Sequence, residues 1–328
     1  MPHHVGMYPI PWQAQHQLGV FTAAQAVEAG WSQAALTRAV RSHRLDRLRR
    51  GAYVATDHES GDAGHAAARR RLAQQGVAAS LCVARATISH SAAAVVHGLP
   101  VLSTPSEPCL TVPPGTRVNP TEFHLHRQAM PLWQLDHRAD ISVTTAARAC
   151  VDIAREAGLA AGLVTADAAL ARSMTTRDEL GSVCRALRGR AGNPAARQLV
   201  EIADGRAESP LESLSRLAMA DLRQQPALQV QLYSIQGWFL GRVDFFWEDV
   251  AVIGEADGRD KYTDDELWRE KRRQDQLADC GLVFARWGWR LANQPTELCS
   301  YLEQQFRRAE LLRAAGIYPR IATGNFAA

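Results

Sequence analysis

Between residues 21 and 54 the apolar positions form two short helical stripes and then an alternation. Thr22 stands at the cap of a run that reaches Glu28, and Gly30 marks its end. Ser32 opens a second run to about His43 with Leu36, Ala39 and Val40 on one face. Leu45, Leu48, Ala52, Tyr53 and Val54 then predict a small hairpin with Gly51 near its tip. Helix, tight turn, helix and hairpin predict a winged helix-turn-helix over residues 1–58. From 59 to 205, Ala-rich helical patterns surround a β-like centre at Cys109–Val112 and 123–127, which predicts an α/β middle domain. Beyond 206, Leu211, Leu214, Leu217, Ala218 and Leu222 form one stripe on a helix opened by Ser209-Pro210-Leu211-Glu212. Strands follow at 229–235, 241–247 and 250–257. A charged helix at 263–280 has Thr263 and Glu266 as its capping box and Gly281 as its stop, ahead of a strand at 282–287 and a helix at 296–314. The fold class is therefore α/β and multidomain, with a third domain over 206–328 in the order α-β-β-β-α-β-α.

The 328 residues suffice for two or three domains, and 46% hydrophobic against 22% charged residues supply ordinary globular cores. No apolar stretch reaches the ~18 residues of a membrane span, and the N-terminus has neither the basic start nor the apolar segment of a signal peptide. A membrane partner is not expected. The six cysteines, 82, 109, 150, 184, 280 and 299, stand singly, which excludes a thiolate zinc ribbon and predicts reduced thiols in a cytoplasm. Net charge is only +3, yet six arginines (38, 41, 44, 47, 49 and 50) lie between Trp31 and Val54 against one acid, Asp46. Arginine on both the second helix and the hairpin points to double-stranded DNA. In that reading Ser32, Gln33, Thr37, Arg38 and Arg41 face base edges and phosphates in a major groove, while Arg47, Arg49 and Arg50 grip the backbone. The alternative is the solvated face of a small helical module.

The run from Phe21-Thr22-Ala23-Ala24 through Gly30 to Arg49-Arg50-Gly51-Ala52-Tyr53 resembles the N-terminal winged-helix domain of the AbiEi family of antitoxins from abortive-infection systems. The middle block is similar to that family's companion region at Ile88-Ser89-His90-Ser91-Ala92-Ala93-Ala94, at His97-Gly98-Leu99-Pro100, and at Val143-Thr144-Thr145-Ala146-Ala147-Arg148 with Asp152. The resemblance implies transcriptional autoregulation by DNA binding, with a toxin protein as a candidate partner. Arg148 and Asp152, i and i+4 on a helix opened by Thr144 or Thr145, read as a structural ion pair. His90 and His97 share one side of an Ala-rich helix, and His124 and His126 share one face of a strand. Four histidines suffice in number for a metal ion. No carboxylate or thiolate is spaced to complete the set, so they read as partly buried polar side chains and no metal is expected there.

All eleven histidines lie at or before His137, so chemistry in the last domain must run without imidazole. Acids stand at its strand ends instead. Asp244 interrupts an apolar strand between Val243 and Phe245, and Glu255 and Asp257 share one face at the end of the next. A hairpin would set Asp244 beside Glu255. Clustered carboxylates are tolerable where a divalent cation neutralises them, and oxygen-only ligation selects Mg²⁺ or Mn²⁺. Glu212, in the first turn of the preceding helix, is a further ligand in this reading. Each residue also has a plainer role. Glu212 makes a capping box with Ser209, Asp257-Gly258 is a turn pair, Arg269 to Arg273 is a solvated helix face, and Arg242 shares the face of Asp244 as its candidate partner.

Ser209-Pro210-Leu211-Glu212, Arg242-Val243-Asp244-Phe245, Gly254-Glu255-Ala256-Asp257-Gly258, and Arg273 with Leu277 before Gly281 resemble the PD-(D/E)XK nuclease superfamily. The likeness is greatest to the domain of unknown function related to very-short-patch-repair endonucleases. It implies a restriction-endonuclease-like domain in which Asp244 and Glu255 hold metal and Glu212 assists. Asp257 stands where the superfamily carries lysine, and Lys261-Tyr262 where related domains carry histidine. Lys261 or Lys271, the only lysines in the chain, would then supply the positive charge that positions the attacking water. Two functions remain open: a metal-dependent DNA endonuclease addressed by the winged helix, and a non-catalytic regulator of AbiEi antitoxin type.

Overall fold

The computed structural model describes residues 4–5, 8–56, 64–118, 123–138, 140–257, 273 and 276–324. The chain divides into two units, Met1–Ala203 and Asp204–Ala328. In the first, a short hairpin, β1 (His4–Val5) and β2 (Tyr8–Pro9), precedes a sheet of β3 (Val20–Thr22), β4 (Leu45–Arg49) and β5 (Ala52–Ala55) in the order β3-β5-β4. Helices α1 (Ala23–Glu28) and α2 (Gln33–Arg41) lie between β3 and β4 in the chain. Their starts follow from local hydrogen bonding. Thr22 Oγ1 accepts from the Gln25 amide at 3.2 Å while the Gln25 side chain accepts from the Thr22 amide at 2.9 Å, a closed capping box. Ser32 Oγ accepts from the Ala35 amide at 3.1 Å and opens α2. Gly51, at φ +84°, supplies the left-handed residue of the β4–β5 turn. Phe21, Ala26, Trp31, Leu36, Ala39, Leu45 and Tyr53 form the core of this winged helix.

The rest of the first unit surrounds a mixed sheet in the order β8-β7-β6-β10-β9. Its strands are β6 (Thr87–Ile88), β7 (Cys109–Val112), β8 (His124–Arg127), β9 (Leu135–Arg138) and β10 (Ile141–Thr144). Six helices accompany it: α3 (His65–Cys82), α4 (His90–Val96), α5 (Ala146–Ala157), α6 (Leu159–Ala171), α7 (Arg177–Ala186) and α8 (Asn193–Ile202). Val20 and Ala52 of the small sheet pack into one core with Leu72, Val77, Ile88, Leu110 and Val143, so the winged helix and the larger sheet share buried apolar surface. On α5, Arg148 and Asp152 are fully buried and joined at 2.6 Å, as their spacing predicts. The other Arg148 nitrogens donate to Gln134 Oε1 and, at 3.2 Å, to Gln128 Oε1, while Arg155 reaches Asp152 at 3.1 Å. A buried pair satisfied on all sides in this way is tolerated where a lone charge would not be.

In the second unit α9 (Pro210–Ala218) precedes a sheet in the order β14-β13-β12-β11-β15. The strands are β11 (Ala227–Ser234), β12 (Phe239–Trp247), β13 (Val252–Ala256), β14 (Val283–Trp287) and β15 (Ile321–Gly324). The first three form an antiparallel meander, β14 runs parallel to β13, and β15 pairs antiparallel with β11. Two helices, α10 (Trp289–Ala292) and α11 (Pro295–Ala314), follow β14. A Cβ at Gly254 would lie 2.7 Å from the Trp287 ring and 2.8 Å from the Trp247 ring, so close aromatic packing requires glycine there. Residues 273 and 276–279 are helical. Thr263, Glu266, Lys261 and Lys271 lie outside the described residues. The mixed α/β, multidomain class read from the sequence is the one the chain adopts. Among the described residues, no helix is long and apolar enough to cross a membrane.

Candidate functional site

Among the described residues, three places gather chemistry-bearing side chains. The first is the outer face of α2 and the β4–β5 hairpin. Burial of Ala35, Leu36 and Ala39 leaves Gln33, Thr37, Arg38 and Arg41 exposed. Ser32 is exposed too, with its hydroxyl engaged as the helix cap. Thr37 Oγ1 donates to the Gln33 carbonyl at 2.9 Å, which leaves its lone pairs available as acceptors. Arg47 and Arg50 are exposed, as is Arg44 just before β4. Arg49 differs: it is half-buried, and its guanidinium lies 5.0 Å from the centre of the Phe123 ring, a cation–π contact that braces the hairpin. Asp46 is drawn toward Arg71 at 3.7 Å and the Thr56 hydroxyl at 3.4 Å.

The second place is the acid-bearing end of the C-terminal sheet. Glu212 is buried, and its Oε2 accepts from the Glu208 amide and from Gln229 Nε2, both at 2.9 Å. Ser209 caps the Glu212 amide at 3.2 Å as expected. The return bond of the predicted capping box goes to Glu208, one residue before the cap, rather than to Ser209. Gln229 Nε2 also reaches Asp244 Oδ1 at 3.5 Å, and Asp244 Oδ2 accepts from the Ala256 amide at 3.0 Å. Burial, then the negative charge of Glu212 and to a lesser degree that of Glu255, push the Asp244 carboxyl up to about 6 against the pull of the Ala256 amide. Glu255 accepts from Arg273 on one oxygen and from Arg286 on the other at 2.5 Å. Arg242, expected beside Asp244, pairs with Glu208 at 2.7 Å, and Arg273, expected on a solvated face, turns to Glu255. Asp257 is half-buried at the end of β13, its amide donating to the Trp287 carbonyl at 2.9 Å. The acids do gather, but Gln229 stands between Glu212 and Asp244 and two guanidinium groups hold Glu255. Among the described residues, Gln229 and the two arginines engage oxygens of Glu212 and Glu255, while Asp244 has only the Ala256 amide and the long Gln229 bond.

The third place was not assembled by sequence reasoning. Glu156 Oε2 lies 3.1 Å from His90 Nε2 and 3.3 Å from His126 Nε2, and Oε1 lies 3.5 Å from His124 Nδ1. The rings stack in a column, His90 on His126 at 3.9 Å and His126 on His124 at 4.7 Å. Cys109 completes the group: the ligand atoms of His90, Cys109 and His126 lie within 4.8 Å of one another, as do those of Cys109, His124 and Glu156. The parallel β7–β8 register sets Cys109 opposite His124 and Thr111 opposite His126, which brings the thiol to the histidine face. Glu156 continues the stripe of Arg148 and Asp152 at i, i+4 and i+8 on α5, a spacing that was visible in the sequence. His97 is elsewhere, with Nε2 2.7 Å from the Thr144 carbonyl. His90 sits in left-handed backbone at φ +53°, which few non-glycine residues adopt. Its Nδ1 lies 3.0 Å from Ser89 Oγ, which in turn accepts from Thr111 Oγ1 at 2.9 Å. Burial lowers His90 to about 3 and lowers His126 as well, so the inner rings are neutral at pH 7, while burial pushes the Cys109 thiol up to about 12. His90, Cys109, His124 and Glu156 line a pocket of about 250 Å³.

Comparison with known proteins places the first of these surfaces in context. The chain is 34% identical over 170 residues to two uncharacterized proteins of Mycobacterium tuberculosis, MT2308 of strain CDC 1551 and Rv2248 of strain H37Rv. Each match takes in 51% of this chain and 62% of the relative, so the chain spans less than two thirds of the length of the curated relatives it matches. Against solved structures, the crystal structure of the RV2827C protein from Mycobacterium tuberculosis aligns with 63% of this chain and 81% of its own at 16% identity and a TM-score of 0.36. Residues 9–56, which carry β3, α1, α2, β4 and β5, match the family described as transcriptional regulator, AbiEi antitoxin, and this stretch is accordingly similar to an AbiEi-type regulator domain.

Proposed function

We propose that this chain is a DNA-binding transcriptional regulator of AbiEi antitoxin type, acting in the cytoplasm on double-stranded DNA with a toxin protein as its partner. The observation that carries the reading is the exposed face of Gln33, Thr37, Arg38 and Arg41 on α2 beside Arg47 and Arg50 on the hairpin, inside the stretch that matches the AbiEi family. With α2 in a major groove, Arg38 and Gln33 have the donors to read base edges. Ser32, Thr37 and Arg41 position the helix, and Arg47 and Arg50 hold phosphates. Arg49 serves mainly to fix the hairpin through Phe123. The test is fluorescence anisotropy of labelled duplex DNA from upstream of the chain's own gene, across a salt series. Wild type binds with a steep salt dependence, each phosphate-held arginine adding about 0.9 to the log–log slope. Arg38→Ala weakens binding and alters base preference. Arg50→Ala weakens all sequences alike and flattens the slope by about one ion. Absence of salt-dependent binding in wild type overturns the reading.

A second reading makes the C-terminal unit a DNA endonuclease. It is favoured by the meeting of Glu212, Asp244 and Glu255 and by the raised Asp244 carboxyl, an excess of negative charge that a divalent cation would relieve. Glu212, Asp244 and Glu255 would hold Mg²⁺ or Mn²⁺, which supplies Lewis acidity for phosphodiester hydrolysis, with Asp257, Lys261 and Lys271 as flanking catalytic groups. Gln229, Arg273 and Arg286 would first have to give way, and this favours the regulator. Calorimetric titration of Mg²⁺ and Mn²⁺ into wild type and Asp244→Ala decides between them. Heat in wild type alone supports the second reading, whereas none in either overturns it and leaves the regulator.

A further inference from the structure

The column of histidines in the first unit is a different kind of site from the acids of the second, and it stands independently of the DNA-binding reading. We propose that His90 Nε2, His126 Nε2, Cys109 Sγ and a Glu156 carboxylate oxygen bind a single Zn²⁺ ion, with His124 at the rim of the site. Four features lead to this ion. The donor set is two imidazoles, one thiol and one carboxylate; zinc takes all three ligand types, whereas the soft sulfur and the imidazoles do not suit Mg²⁺ and Ca²⁺, which take oxygen ligands. The spacing fits: ligand atoms around tetrahedral zinc lie about 3.4 Å apart, and Glu156 Oε2 lies 3.1 Å and 3.3 Å from the two inner imidazole nitrogens. The ligands come from four elements, α4, β7, β8 and α5, which the fold brings into two overlapping triads that share Cys109, His90–Cys109–His126 and Cys109–His124–Glu156. The outer shell is present as well. Thr111 donates to Ser89 Oγ, and Ser89 engages His90 Nδ1, which leaves Nε2 to face inward, the arrangement that orients metal-bound histidines.

The alternative occupancy is protonic, with Glu156 accepting N–H bonds from neutral rings and Cys109 remaining a thiol. The two differ in what Zn²⁺ entry does. On Zn²⁺ entry each inner ring gives up its Nε2–H proton and takes one up at Nδ1, which frees an Nε2 lone pair for the ion, while the Cys109 S–H proton leaves to solvent and a sulfur–metal bond forms. The pocket beside His90, Cys109, His124 and Glu156 gives the ion a route in.

The test uses the full chain, stripped with a chelator and kept reduced, and titrated with Zn²⁺ in competition with a chromophoric chelator and with Co²⁺ as a spectroscopic stand-in. The expected result is one tight equivalent, visible d–d bands of tetrahedral Co²⁺, and a thiolate-to-cobalt charge-transfer band in the near ultraviolet. Cys109→Ser removes the charge-transfer band while a weaker d–d spectrum persists. His126→Ala and Glu156→Gln, the latter keeping size and hydrogen bonding, each weaken Zn²⁺ binding by at least the ~10–100-fold at which outer-shell partners matter. Cys280→Ser, a free cysteine of the other unit, leaves the titration unchanged. Circular dichroism of each metal-free variant establishes that it is folded. Failure of the wild type to give a tetrahedral Co²⁺ spectrum overturns the proposal, and so does a single tight equivalent that survives intact in folded His126→Ala and Cys109→Ser, because the ion then sits elsewhere.

Discussion

Asp244 shows how a single carboxyl registers its surroundings. It accepts one amide from Ala256 and a long bond from Gln229, too little to offset its burial and the charges of Glu212 and Glu255, and it therefore titrates at about 6. In the unfolded chain the same group titrates near 3.9. Between these values the folded protein holds a proton that the unfolded chain has lost, so stability falls as pH rises from about 4 to about 6 and levels off above that. The cost at neutral pH is on the order of 3 kcal/mol. Asp244→Asn retains an oxygen for the Ala256 amide and discards the charge. Urea denaturation should find the variant more stable than wild type by roughly 1–2 kcal/mol at pH 8, with the advantage gone by pH 4. An equal advantage at both pH values would show that packing, rather than charge, sets the difference. Arginines show the same dependence on surroundings in reverse. Arg49 lies over Phe123 and Arg242 pairs with Glu208, partners distant in sequence that no local spacing announces.

At the scale of elements, legibility tracks the range of the force involved. The starts of α1, α2 and α9 could be read because Thr22, Ser32 and Ser209 cap amides only three residues on. β7, β11, β12, β13 and β14 could be read from alternation or from apolar runs bounded by turns. β3, β6 and β15 could not, since their two to four residues carry almost no period, and they are strands through their pairing with neighbours, β5 for β3, β7 and β10 for β6, and β11 for β15. The candidate sites divide in the same way. The arginine face of α2 is local and was visible. The acids of β12 and β13 were visible, but the Gln229, Arg273 and Arg286 that occupy them were not. The histidines were visible, whereas Cys109 and Glu156 reach them only through the β7–β8 register and the packing of α5. That packing is itself tight. α6 lies so close to α5 that a Cβ at Gly162 would come 2.4 Å from Ala154 Cβ and 2.7 Å from its Cα, so glycine is what allows the two helices to meet.

For the molecule as a whole, the consequential feature is that the winged helix is not an isolated bead on a linker. Val20 and Ala52 of its sheet are buried among Leu72, Val77, Ile88, Leu110 and Val143, and Leu48 packs against the same cluster. A module of this size with its own core would fold alone only marginally, so sharing apolar surface with α3 and the five-stranded sheet supplies burial it lacks. The DNA-reading face should therefore persist only as long as the larger core does. Leu110→Ala opens a cavity in β7, far along the chain from α2, at a cost of about 2–5 kcal/mol. Gly162→Ala forces α6 off α5, at about 1–3 kcal/mol or more. Neither touches a residue that would meet DNA. In a urea titration followed by the anisotropy of bound DNA, both should bring release of the DNA to lower urea, in step with the loss of structure seen by circular dichroism. Affinity in the absence of urea should stay close to that of wild type. Arg50→Ala should do the opposite, weakening binding while the unfolding midpoint stays in place. Were Leu110→Ala to lower the unfolding midpoint of the larger sheet while DNA stayed bound past it, the winged helix would be holding itself together, and the shared core would be contact without consequence.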